Sequence, residues 1–146
     1  MATRMATRLE DFFEQRTDGK LRSIVKYEQD TYEIVHLRDD VAEQYTTDEI
    51  EFAIDDSRME SLTAPIYEGT FSEDHGQLTC LVQCFENVIE MNFVLEDGVG
   101  AAVALDAEAM TDAHGLVAEA RRIVLEERQK RRRTLPSFTR SEDTIR

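Results

Sequence analysis

Apolar positions recur along this chain with two different periods, and the places where the period changes mark its elements. Between Thr7 and Gln15, Leu9, Phe12 and Phe13 fall at helical spacing, and Thr17-Asp18-Gly19 follows as a stop signal. Leu21–Tyr27 and Tyr32–Leu37 are rich in branched and aromatic residues and flank the polar Glu28-Gln29-Asp30-Thr31, which predicts a hairpin. Thr46 with Glu49 three residues later is a capping box, so Ile50, Ala53, Ile54 and Ser57 form the inner stripe of a second helix, with Tyr45 as a staple and Pro65 as its end. The stretch 66–76 reads as a loop. Three strand-like runs come next, 77–85, 88–95 and 99–105, and Glu86-Asn87 and Glu96-Asp97-Gly98 between them are hairpin signals, so an antiparallel meander is expected. Asp106 then caps a last helix whose stripe is Met110, Ala113, Leu116, Val117, Ala120, Ile123 and Val124, ending near Arg132 ahead of Leu135-Pro136. The expected fold is α+β, a single five-stranded antiparallel sheet with three helices in the order αββαβββα.

With 146 residues and 41% hydrophobic content, the chain is long enough for one real core and too short for two ordinary ones. The expected organisation is one domain over 1–129 and a basic, flexible tail over 130–146. No stretch approaches the roughly 20 apolar residues that span a bilayer. The amino terminus lacks the apolar core of a signal peptide, so a cytoplasmic protein with no membrane contact is expected. Exact repetition of Met-Ala-Thr-Arg at 1–4 and 5–8 makes Met5 an alternative start.

Charge changes this picture most. There are 31 Asp+Glu against 17 Lys+Arg, a net charge of -14, and the only lysines are Lys20, Lys26 and Lys130. Abundant carboxylates with arginine as the preferred cation suit solubility in concentrated salt, which points to a haloarchaeal cytoplasm. The charge is also uneven: residues 1–120 carry -19 and residues 121–146 carry +5. Arg128, Lys130, Arg131, Arg132 and Arg133 form a candidate anion-binding tail able to neutralise phosphates of nucleic acid. The plainer reading is a helix end whose cations complement the negative end of the dipole.

The chemistry-bearing residues form no catalytic constellation. His36, His75 and His114 fall on a strand, in a loop and on the last helix, with no nucleophile in a matching context, so no enzyme is expected. Cys80 and Cys84 lie four residues apart on one strand, about 13 Å, too far to bond to each other. Adding His75 does not make a zinc site, because the close cysteine pair on a tight turn is missing, and the two thiols read as buried small apolar groups. Asp39-Asp40 and Asp55-Asp56 are pairs that arise readily in so acidic a chain. Gly98-Val-Gly100 lacks the helix opening that phosphate binding requires. No catalytic residue, cofactor or metal site is therefore assigned. Glu90 and Asn92, alternating with Ile89, Met91 and Phe93, mark either the exposed face of a half-buried strand or polar groups lining a PAS-like ligand-sensing pocket.

From Thr7 to Gln129 the element order resembles the roadblock/LC7 domain, a profilin-like scaffold. That resemblance implies an antiparallel sheet with strands in the order second, first, fifth, fourth, third. The first hairpin departs from it in having no glycine at the turn. The chain also resembles an uncharacterised family of small acidic haloarchaeal proteins, through Leu21–Arg38 followed by Asp39-Asp40 and through Gln83-Cys-Phe-Glu-Asn87. The roadblock resemblance implies a regulatory or scaffolding homodimer that binds small GTPases or other signalling proteins through its second helix and third strand. Phe52, Met59, Leu78, Cys80, Val82 and Cys84 are the candidate dimer contact, against a plain reading as core under the 66–76 loop.

Overall fold

The computed structural model describes residues 2–113, 123–124, 126–130 and 133. Helix α1 (Ala2–Thr17) is followed by strands β1 (Leu21–Glu28) and β2 (Thr31–Leu37), helices α2 (Asp39–Gln44), α3 (Thr47–Leu62) and α4 (Ala64–His75), strands β3 (Cys80–Cys84), β4 (Val88–Glu96) and β5 (Val99–Asp106), and helix α5 (Glu108–Ala113). Residues 123–124, 126–130 and 133 are also helical. The contacts divide the chain into two units, Met1–Ala109 and Met110–Arg146, so the expected body of 1–129 spans the first and part of the second. No helix among the described residues is long and apolar enough to cross a membrane.

The five strands form one sheet in the order β2-β1-β5-β4-β3, every neighbouring pair antiparallel. This is the α+β architecture expected, and the strand order equals the one that the resemblance implies. The turns follow local chemistry. Asp18 and Gly19 end α1 with φ of 50° and 80°, and Gly98 turns β4 into β5 at φ 75°. Gln29-Asp30 needs no positive φ, so its lack of glycine carries no strain. The Thr46 capping box forms in full: the Thr46 hydroxyl accepts from the Glu49 N–H at 3.1 Å, and the Glu49 carboxylate accepts from the Thr46 N–H at 2.8 Å.

The structure corrects several expectations. The helices number more than three, because 66–75 is not a loop but most of α4. Pro65 ends one helix and sits in the first turn of the next, where its missing N–H costs nothing. Asp39-Asp40 opens the short α2. Asp106 makes no cap bond among the described residues. Its carboxylate instead accepts from Arg38 Nη1 at 2.6 Å, Arg38 Nη2 at 3.0 Å and Arg22 Nη1 at 3.1 Å, which ties the end of β5 to β1 and to the start of α2. In the second unit, Ile123 and Val124 stand 59% and 49% exposed rather than inward, since helical spacing by itself does not fix burial. Leu116, Val117, Ala120 and His114 lie outside the described residues.

The two faces of the sheet differ. On one, α1 lies over β2, β1 and β5, and Ala6, Phe13, Leu21, Ile24, Val103, Leu105 and Ala109 form the main core. On the other, α3 lies over β1, β5 and β4, with a smaller cluster of Val25, Tyr27 and Ile54. Gly100 is fixed by this second face: a Cβ there would collide with the Phe93 carbonyl oxygen and the Tyr27 ring.

Candidate functional site

Register determines what the α3 face of the sheet offers. Ser23, Ala104, Glu90 and Gln83 form one row across four strands, and Val25, Ala102, Asn92 and Leu81 form the next. The middle of both rows is alanine. With so little side chain on the central strand, α3 stands off the sheet and leaves an open cleft of about 820 Å³. That volume lies in the range of small-molecule sites, about 300–1,000 Å³. Its walls are apolar, from Val41 and Tyr45 at one end to Ile50, Phe52, Leu81 and Phe85 along the sides.

Polar groups in the cleft are of two kinds. Asn92, only 4% exposed, is fully engaged: its Oδ1 accepts from Tyr27 Oη at 2.6 Å, and its Nδ2 donates to the Ser57 carbonyl at 2.9 Å and to Glu60 Oε1 at 3.0 Å. Burial pushes the Tyr27 hydroxyl up to about 12. The expectation of an exposed strand face at Asn92 is thus overturned, because α3 covers this row and clasps the amide. Glu90 lines the cleft with no hydrogen bond or ion pair to a described residue. Desolvation pushes its carboxyl up, and the charge of Glu60 pushes it further. Acids outnumber bases in the lining, and the one arginine, Arg22, is held by Asp106 and by Gln44 at 3.1 Å.

Beside the cleft lies an apolar edge. Phe52, Met59 and Leu62 make one exposed stripe on α3, 70% and 65% open at the first two, and Ile66 and Tyr67 continue it on α4. Gln83 Nε2 donates to Glu60 at 3.3 Å and the Leu78 N–H donates to Glu68 at 2.7 Å, so α3 and α4 are tied to the β3 edge. β3 has a hydrogen-bonded neighbour on one side only. Of the candidate contact residues, Phe52 and Met59 lie on this side. Register places Cys80, Val82 and Cys84 opposite Phe93, Met91 and Ile89, on the α1 side of the same strand, and Leu78 precedes β3. Leu81 on β3 and Phe85 just past its end are the residues that accompany α3, and alternation from Gln83 was the signal for them.

The thiols are free, with Cys80 half-buried and Cys84 exposed rather than both buried, since α1 lies over the β2–β1–β5 end of the sheet and β3 is the far edge. Burial pushes the Cys80 thiol up to about 11, which keeps it protonated and unreactive. Asp40 is paired with Arg38 at 2.6 Å and Asp55 with Arg58 at 2.6 Å, so neither acidic pair is left to hold a cation together. Arg128, Lys130 and Arg133 are exposed on helical backbone, with Lys130 facing Glu127 at 3.3 Å; Arg131 and Arg132 lie outside the described residues. His75 is on α4. His36 meets Glu10 and Glu14 of α1, a grouping of possible metal ligands that the sequence reading missed. Only the Glu10–Glu14 helical spacing was visible in advance.

No match is found among curated proteins or among solved structures. The family model described as a domain of unknown function, DUF7522, matches residues 7–125, which takes in most of α1, the whole sheet, the cleft and the apolar edge. The chain belongs to the DUF7522 family.

Proposed function

We propose that this protein is a non-catalytic regulatory or scaffolding module of roadblock/LC7 type that works through protein contacts as a homodimer in a salt-rich cytoplasm. The observation that carries this is the exposed apolar stripe of Phe52, Met59 and Leu62 on α3, tied to an edge strand with open backbone groups. Large apolar side chains gathered at one edge are what a partner surface covers, and an unpaired strand is a ready template for the same strand of a second copy. Dimerisation along β3 would also extend the sheet and leave the opposite edge and the α1 face for a signalling partner such as a small GTPase. Light scattering after gel filtration in molar KCl should give a dimer mass. Met59→Glu should give a monomer with unchanged circular dichroism, while Phe12→Glu on α1 stays dimeric. A monomeric wild type would sink the proposal.

The cleft favours a second reading, a ligand-sensing module. Its volume, its apolar walls and a Glu90 carboxylate with no partner among the described residues suit a small amphiphile with a cationic head. An apolar cationic fluorophore should bind wild type at one equivalent and fail to bind Ala104→Phe, which fills the floor. Equal binding to both proteins would place the dye elsewhere and remove this reading.

A further inference from the structure

On the face of the sheet away from the cleft, Glu10 and Glu14 stand one turn apart on α1, and His36 reaches them from β2. We propose that these three side chains bind a divalent first-row transition ion, zinc best of all.

Four observations converge on this. The first is distance. His36 Nδ1 lies 3.3 Å from Glu10 Oε2 and 3.2 Å from Glu14 Oε1, with all three ligand atoms within 4.8 Å of one another. Metal bonds of about 2.0–2.1 Å in a tetrahedron separate neighbouring ligand atoms by about 3.3 Å. The second is what these contacts are not. Neither has hydrogen-bond geometry, and both exceed the roughly 2.7–2.9 Å of a charge-assisted N–H to carboxylate bond. Both nitrogen–oxygen distances match the spacing of neighbouring ligands on a tetrahedral ion more closely than that of a donor and its acceptor.

The third is how His36 gets there. Strict alternation would send Val35 and His36 to opposite faces, yet Val35 packs against the α1 core and His36 meets α1 as well. The pairing slips between Ile24 and Val25, from His36 to Ile34, and this bulge re-aims the imidazole. A bulge that brings a histidine onto a pair of carboxylates is a built feature. The fourth is chemistry. Two carboxylates and a neutral imidazole carry a charge of minus two, which one divalent ion neutralises, and an imidazole among oxygens selects zinc and its neighbours over magnesium or calcium. The histidine and Glu10 are three-quarters covered while Glu14 is half open, leaving a side for water as the fourth ligand.

The ligands are held ready by the core, since Phe13, between them in sequence, is buried against the sheet. The bound ion pins α1 to the β2 edge. It takes no part in the cleft or in the apolar edge, so it stands or falls apart from the proposed function.

The test uses the full chain, stripped by chelation and titrated in molar KCl, where diffuse attraction to acidic surfaces is screened. Calorimetry with zinc should show one site, and cobalt should give the visible bands of a tetrahedral ion with nitrogen ligation. His36→Gln and Glu14→Gln should each weaken zinc by at least roughly ten-fold, as the loss of a direct ligand exceeds that of its supporting shell. Zinc should raise the melting temperature of wild type and not of the variants. If His36→Gln fails to fold, Glu14→Gln at its half-open position still decides. Absence of a one-to-one site, equal zinc affinity in the variants, or displacement by equimolar magnesium would overturn the proposal.

Discussion

The two faces of one sheet show how the same strands make a closed wall and an open one. On β5, Ala101, Val103 and Leu105 point to α1 and are buried, whereas Gly100, Ala102 and Ala104 point to α3. The first set, with Ile24 and Phe13, fills the space beneath its helix. The second set is too small to do so, and what joins α3 to the sheet is largely polar: the Tyr27–Asn92–Glu60 chain and the Gly98 N–H donating to Ser61 Oγ at 3.0 Å. Apolar packing is tolerant of direction, while hydrogen bonds fix it. The α1 face therefore supplies stability, and the α3 face holds a helix at a set distance over a cleft.

The sharpest way to break this comparison is to trim one face and fill the other. Ile24→Ala on the closed face should cost about 2–5 kcal/mol in urea unfolding. Ala104→Leu on the open face should fall within about 1 kcal/mol of wild type, since the added methyl groups enter existing space. Equal losses would mean that the cleft closes in solution.

Next comes the clamp at the sheet's end. Asp106→Asn removes a carboxylate that accepts three bonds from Arg38 and Arg22, and should cost about 2–3 kcal/mol at neutral pH. Arg38 first, then Arg22, holds the Asp106 carboxyl below the usual carboxylate range. A carboxyl depressed in the fold contributes stability above its unfolded value that is lost as pH falls through its folded value. The gap between wild type and variant should thus narrow in acid, and a gap independent of pH would refute the assignment.

Smaller again is Tyr27→Phe, about 1–2 kcal/mol, because Asn92 Oδ1 loses its buried donor. Chemical denaturation checks it, and no loss would mean that the polar chain does not hold α3. The smallest effect should be Glu90→Gln, with opposite sign. A carboxyl raised in the fold binds its proton more tightly there than in the unfolded chain, so wild type loses stability as pH rises past the usual glutamate range. The variant should be the more stable near neutrality and flat over that interval.

Much of the fold was legible because it is local. The capping box at Thr46, the stop at Asp18-Gly19 and the Asp97-Gly98 turn each satisfy their own backbone within four residues, so their signals are complete in the sequence. Alternation in β4 and β5 was legible too. The helical nature of 66–75 was not, because glycine and polar residues dilute its pattern and Pro65 serves equally as an end or a beginning. Asp106 misled for a related reason: an aspartate before a helix is a cap by local rules, and two arginines distant in sequence outbid the backbone for it.

What the sequence by itself determined, then, is the succession of the five strands, the hairpin turns and the acidic balance, all of which depend on neighbours along the chain. Only tertiary structure decided which rows of the sheet face which helix. That choice made Asn92 a buried clasp, left Glu90 in a cleft floored by alanines, parted Phe52 from Val82 across one strand, and carried His36 onto Glu10 and Glu14 through a bulge. Register and burial are set by the balance of the whole sheet, and no window of a dozen residues contains it.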